Sequence, residues 1–253
     1  MKVFKSSPLL IFILITFLIG FPALYMSTLH VSVGIQILLF LLGSYGISIA
    51  TFITLRSFHL TEETHELINR LKTWRNTPMN LLASIGIPTV IWLSTALIVY
   101  FVGSTINASW ISFAAFPIIY ITNLGEEVGW RGFALPRLLK SYQPLNASVI
   151  LGMVWGAFHF PLYWQRPLFA ILFLAFTPAL SIIITWLFLR SKGSILLITL
   201  VHATYNAWVQ VFLTTNSELI MAISVGVSWM VVIILLTRYG IRLSNSPGSS
   251  SEG

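Results

Sequence analysis

The chain has no cysteine, which excludes disulfides, a thiol nucleophile and thiolate metal sites. It also has very little charge: 8% of its 253 residues are Asp, Glu, Lys or Arg, against roughly a quarter in soluble domains. Acidic residues are the scarcest, at seven. What fills the space is apolar: 57% of the residues are hydrophobic, in several runs near or above the roughly 20 residues that cross a bilayer. These features define an all-α, polytopic membrane helical bundle. The net charge of +7 then records orientation in the lipid bilayer, and no nucleic-acid partner is expected.

The apolar runs parse into eight spans: Pro8 to Met26, Val31 to Leu55, Leu81 to Val102, Ser109 onward, Asn146 to Trp164, Leu168 to Leu189, Ser194 to Leu213 and Leu219 to Leu236. Gly34, Gly43, Ser44, Gly46 and Ser48 in the second span suit close helix packing. Arg56 to Asn80 is the longest polar segment and reads as an amphipathic surface helix. Its acids, Glu62, Glu63 and Glu66, come first and its bases, Arg70, Lys72 and Arg75, come last, as the helix dipole favours. His59 and His65 read here as solvated surface. Residues 1–243 form one transmembrane domain, and the Ser/Gly/Pro-rich tail 244–253 is expected to be disordered.

With the N-terminus inside, thirteen of the fourteen basic residues fall on the cytoplasmic side, Arg131 among them, and Arg166 alone falls outside. Eight spans with both termini cytoplasmic, in a bacterial cell membrane, is the topology this predicts.

Three polar stretches interrupt the apolar background. Glu126-Glu127-Val-Gly-Trp-Arg131 lies in the fourth span, Trp155-Gly-Ala-Phe-His159 in the fifth and His202-Ala-Thr-Tyr-Asn206 in the seventh. The other five acids lie in polar connections or the tail, so two adjacent carboxylates at membrane depth point to a functional site. On a helix Glu127 and Arg131 face one another, whereas Glu126 points about 100° away and is left for other work. Counting roughly 1.5 Å per residue from the cytoplasmic ends puts Glu126 and His159 at roughly 20 Å and His202 with Asn206 at roughly 12 to 18 Å. One shared cavity inside the bundle is compatible with those levels.

The chemistry such residues suit is hydrolysis. A desolvated carboxylate is a stronger base than one in water, and Glu126 can take a proton from a water that His159 holds. His202 and Asn206 supply donors for the oxyanion of a tetrahedral intermediate. The second arrangement is a zinc site with Glu126, His159 and His202 as ligands and an open position for water. No His-Glu-x-x-His helix is present, so that site would draw on separate helices.

The order and spacing of the three stretches resemble the CPBP family, which comprises type II CAAX prenyl proteases and the bacteriocin-processing or self-immunity (Abi) membrane proteins. The resemblance covers about 109–213. It implies an intramembrane endopeptidase that cuts membrane-associated or lipidated, CAAX-like substrates. By it Glu126 and His159 activate water, His202 and Asn206 form the oxyanion site, and Glu127 and Arg131 support them. Members are often labelled metalloproteases, so a metal stays open at this point. Two other classes compete: a non-catalytic immunity or scaffold protein binding a membrane peptide in the same cavity, and a transporter relaying protons through Glu126 and the histidines. Against transport, no pair of similar broken spans marks an inverted repeat.

Overall fold

The computed structural model describes residues 7–104, 108–212 and 217–244. The disorder expected of the tail beyond Ser244, and the places of Lys2 and Lys5, lie outside the described residues. Eleven α-helices are present among them: α1 (Pro8–Ser27), α2 (Val33–Ser57), α3 (Thr61–Lys72), α4 (Pro78–Phe101), α5 (Phe116–Gly129), α6 (Leu135–Leu139), α7 (Pro144–Phe158), α8 (Phe160–Tyr163), α9 (Pro167–Arg190), α10 (Ile195–Phe212) and α11 (Ser217–Tyr239). Six of them, α1, α2, α4, α9, α10 and α11, are long and apolar enough to cross a membrane. The helix starts follow the sequence: Pro8, Pro78, Pro144 and Pro167 open their helices, where a missing N–H costs nothing. Thr77 caps α4 by accepting from the Asn80 N–H at 3.2 Å.

Large apolar side chains stand fully outward, such as Leu18 at 76% exposure and Phe101 at 75%. Backbone hydrogen bonds are closed within each helix, so such a surface suits lipid. Helices approach through small residues. A Cβ on Gly20 would sit 3.3 Å from the Gly43 carbonyl oxygen, and one on Gly46 3.6 Å from the Gly20 nitrogen, so the backbones of α1 and α2 run close together. Gly34 departs from the expected packing role: it is exposed, with nothing within 4 Å of such a Cβ.

Two expected spans are interrupted. The fourth begins as a 3-10 turn (Trp110–Ala115), runs through α5, widens into a π-turn (Trp130–Ala134) and resumes as α6. Pro136 explains the widening. It has no N–H to give the carbonyl four residues back, and its ring crowds that carbonyl, which belongs to Gly132. The freed Gly132 oxygen accepts instead from Arg70 Nη1 of α3 at 3.3 Å. The fifth expected span, Asn146 to Trp164, is likewise two helices. Pro161 removes the donor to Ala157, α7 stops at Phe158, and the single turn α8 follows.

The amphipathic α3 lies across one end of the bundle. Leu67 is buried and packs against Gly132, where a Cβ would come within 2.5 Å of it. Glu63 accepts from Arg137 at 2.5 Å and Lys140 at 3.0 Å. Partial burial opposes ionisation of Glu63, but hydrogen bonds from Lys140 and Arg137 outweigh it and hold its carboxyl below the usual range. That clasp is therefore intact above the ordinary carboxylate pKa and lets go only as pH falls through the lowered value.

Helices α7 and α9 meet through their backbones. A Cβ on Gly152 would lie 2.5 Å from Pro178 Cα and 2.9 Å from Thr177 O, which are backbone atoms that cannot swing aside. Gly152→Ala is expected to lower unfolding stability in detergent by about 1–3 kcal/mol. Gly86→Ala, with nothing within 4 Å, is expected to raise it by about 0.5–1 kcal/mol. Equal effects of the two substitutions would contradict this packing.

Candidate functional site

The residues singled out in the sequence come together where α5, α7 and α10 meet. Glu126 and Glu127 occupy the last full turn of α5, just before the π-turn, and are 4% and 0% exposed. Their 100° separation sends the two carboxylates to different partners.

Glu127 Oε1 accepts from Arg131 Nη1 at 2.8 Å, the pair that their four-residue spacing predicts. The same oxygen accepts from His202 Nδ1 at 2.8 Å, which sequence spacing could not reveal. Arg131 is 0% exposed and its guanidinium lies 4.5 Å from the centre of the Trp155 ring. Its Nε and Nη2 find no protein acceptor, so the ring face replaces part of their solvation. This corrects the charge tally: Arg131 is inside the site and does not mark a cytoplasmic loop.

Glu126 is less free than its sequence position suggests. Its Oε2 accepts from Trp155 Nε1 at 3.1 Å, so Trp155 contacts the site and is more than a packing or interfacial side chain. His159 Nε2 stands 3.7 Å from that same oxygen. The break between α7 and α8 falls at His159, which takes the cap position of α7 and turns its ring back along the helix. His159 Nδ1 lies 2.9 Å from the Trp155 carbonyl. A carbonyl only accepts, so in the neutral ring Nδ1 carries the proton and Nε2 presents a lone pair. Two acceptors thus face each other, a placement that calls for a shared donor such as water. Trp155 also meets the His202 ring edge-on at 5.0 Å.

Asn206, one turn beyond His202 on α10, donates from Nδ2 to Asn123 Oδ1 at 3.2 Å. Asn123 was not picked out in the sequence. Its signal was there: it sits three residues before Glu126, on the helical face that reaches α10. Glu126, His159, His202, Asn206 and Asn123 all line one cavity of about 580 Å³. Its other walls are largely aliphatic and aromatic, including Phe40, Tyr163, Phe169, Phe173 and Phe176.

The zinc arrangement is not met by the side chains in place. Among the described residues no three His, Asp or Glu side chains converge as a metal ion requires. His202 Nδ1 is already committed to Glu127, and the Glu126 oxygen nearest His159 to Trp155.

The chain can be set beside known proteins on this geometry. The family model of Rce1-like type II CAAX prenyl endopeptidases matches residues 107–208, the segment that carries every site residue named above. A relative, CAAX prenyl protease 2 of Methanococcus maripaludis, is 28% identical over 258 aligned positions, covering 92% of this chain and 94% of that protein. Matching segment, near-full-length similarity and a buried glutamate–histidine centre agree: this chain is similar to the Rce1-like, CPBP-type intramembrane proteases.

Proposed function

We propose that the protein hydrolyses peptide bonds of membrane-associated or lipidated, CAAX-like substrates inside the bilayer, with Glu126 and His159 activating water. The observation that carries this reading is the 3.7 Å approach of Glu126 Oε2 and His159 Nε2 at the deep end of an apolar cavity. A water lying against both atoms gives its proton to this pair as it attacks the carbonyl carbon, and the same proton later goes to the leaving amine. Asn206 Nδ2 spends one hydrogen on Asn123 and keeps the other for the developing oxyanion. His202, steered by Glu127, adds a second donor from Nε2 when its ring carries both protons. Glu127 and Arg131 hold that steering group in place. The aromatic walls suit an apolar peptide or an attached lipid chain.

Topologically, we propose that α5 with α6, and α7, cross alongside the six longer helices to make eight spans. Both ends of the bundle's long helical path, near Pro8 and Tyr239, then lie on the cytoplasmic side, in a bacterial cell membrane. Support comes from helix direction. α2 and α5 run parallel, with Tyr45 bonded to Ile121 O and Ser48 to Gly125 O. α9 and α11 also run parallel, from Arg166 beside Glu218 to Trp186 beside Tyr239.

Two tests separate chemistry from support. With a quenched hydrophobic peptide in detergent, Glu126→Gln or His159→Ala is expected to lower kcat/KM by about 10²–10⁴-fold with little change in unfolding stability. Asn206→Ala is expected to lose about 10²–10³-fold. Full activity in Glu126→Gln would remove the proposed base, and peptide binding without cleavage would favour the non-catalytic binder.

Glu127→Ala should instead act on stability. It leaves Arg131 buried without its counter-charge, at a cost of about 3–5 kcal/mol in detergent unfolding. Adding Arg131→Met should recover most of that loss. A Glu127→Ala protein as stable as the parent would contradict the supporting role.

A further inference from the structure

The cavity is one-sided, and so is the charge. Its lining residues reach Ser27 at the last position of α1, Gln36 near the start of α2, Phe169 near the start of α9 and Met221 near the start of α11. These are the ends of the helices at one face of the bundle. In the opposite direction the lining stops at Glu126, Trp155, Leu180 and His202. Leu180 is ten residues short of the end of α9, or roughly 15 Å.

Beyond that floor the lining of this cavity does not continue; a second cavity of about 420 Å³ between α2 and α3 shares none of its lining residues. The π-turn, α6 and the overlying α3 lie at this end, held by Arg70 on the Gly132 carbonyl, Glu63 on Arg137 and Lys140, and Ser194 on the Thr73 carbonyl. It is also the basic end. Arg56, Arg70, Lys72, Arg75, Arg137, Lys140, Arg190, Lys192, Arg238 and Arg242 all stand at the helix termini or connections of this face. At the mouth face, among the described residues, the basic side chain is Arg166, and it is paired with Glu218. An excess of Lys and Arg marks the cytoplasmic side of a membrane protein.

We infer that the cavity opens to the non-cytoplasmic face, and that the substrate is a hydrophobic peptide segment presented from that face or its leaflet. The inference rests on the reading of the cavity as a peptide-hydrolysing site and fixes the side from which it is fed. A segment held at the cytoplasmic surface meets α3 and the basic face, away from the cavity lining. At the mouth, Gln36 and Gln210 provide polar groups above the aromatic walls, matching a segment whose apolar part descends while its polar end stays in water.

The absence of cysteine makes the test clean, because a single introduced thiol has no background. The full chain is produced in a bacterial host carrying Gln36→Cys or Val209→Cys in the cavity, or Lys72→Cys or Lys192→Cys at the basic end. Intact cells are treated with a membrane-impermeant maleimide, then compared with cells whose membranes have been opened. The inference predicts that Gln36→Cys and Val209→Cys react in intact cells as fully as in opened ones, and that Lys72→Cys and Lys192→Cys react only after opening. The reverse pattern overturns it, and so does failure of both cavity thiols to react from either side. Peptide cleavage by the cysteine-free parent protein in detergent, where sidedness is lost, is measured in parallel. Labelling as predicted with no cleavage counts against the hydrolase reading alone, whereas cleavage with reversed labelling counts against the inferred side alone.

Discussion

One carboxylate oxygen, Glu127 Oε1, is shared by a guanidinium from its own helix and an imidazole from α10, each at 2.8 Å. In an apolar bundle an uncompensated charge is costly, and a pair survives only with close geometry and further hydrogen bonds. This contact therefore fixes α5 against α10, and with them the orientation of His202. It also disposes of one of two adjacent glutamates as a structural counter-ion. Glu126, about 100° around the same helix, is left to face the cavity, with Trp155 as its donor and His159 alongside.

Around that contact the backbone is shaped by prolines. Pro136 opens the π-turn after the glutamates, and α3 answers the freed carbonyl with Arg70 from the basic end. Pro161 ends α7 so that His159 sits at a helix terminus, with its ring held by the Trp155 carbonyl. Both interruptions fall beside proposed site residues, as such breaks often do. The glycines do complementary work: Gly129, Gly132 and Gly152 let neighbouring helices come within contact of the site's own backbone.

Much of this was legible in the sequence. Apolar run length gave the helices and the class of bundle, and four-residue spacing gave the Glu127–Arg131 pair. The rarity of acids drew attention to Glu126. What escaped was of two kinds. Contacts between helices, such as His202 with Glu127, Trp155 with Glu126 and Asn123 with Asn206, depend on packing, which periodicity along one helix does not encode. Arg131 was misplaced because a tally of basic residues cannot tell a loop from a buried counter-ion. The breaks at Pro136 and Pro161 were visible as prolines, yet continuous hydropathy through 109–140 and 146–164 concealed them. Family likeness supplied the chemistry, and the coordinates supplied the reason why these particular atoms could carry it.

The account rests most heavily on His159 presenting an unprotonated Nε2 to Glu126. Solid-state or solution NMR of protein labelled with ¹⁵N-histidine, assigned by comparison with His159→Ala, reads that tautomer directly. The account predicts a neutral His159 ring with its proton on Nδ1 and a bare Nε2 whose resonance moves on Glu126→Gln. A proton found on Nε2 with Nδ1 bare, or an Nε2 signal indifferent to Glu126→Gln, would contradict it.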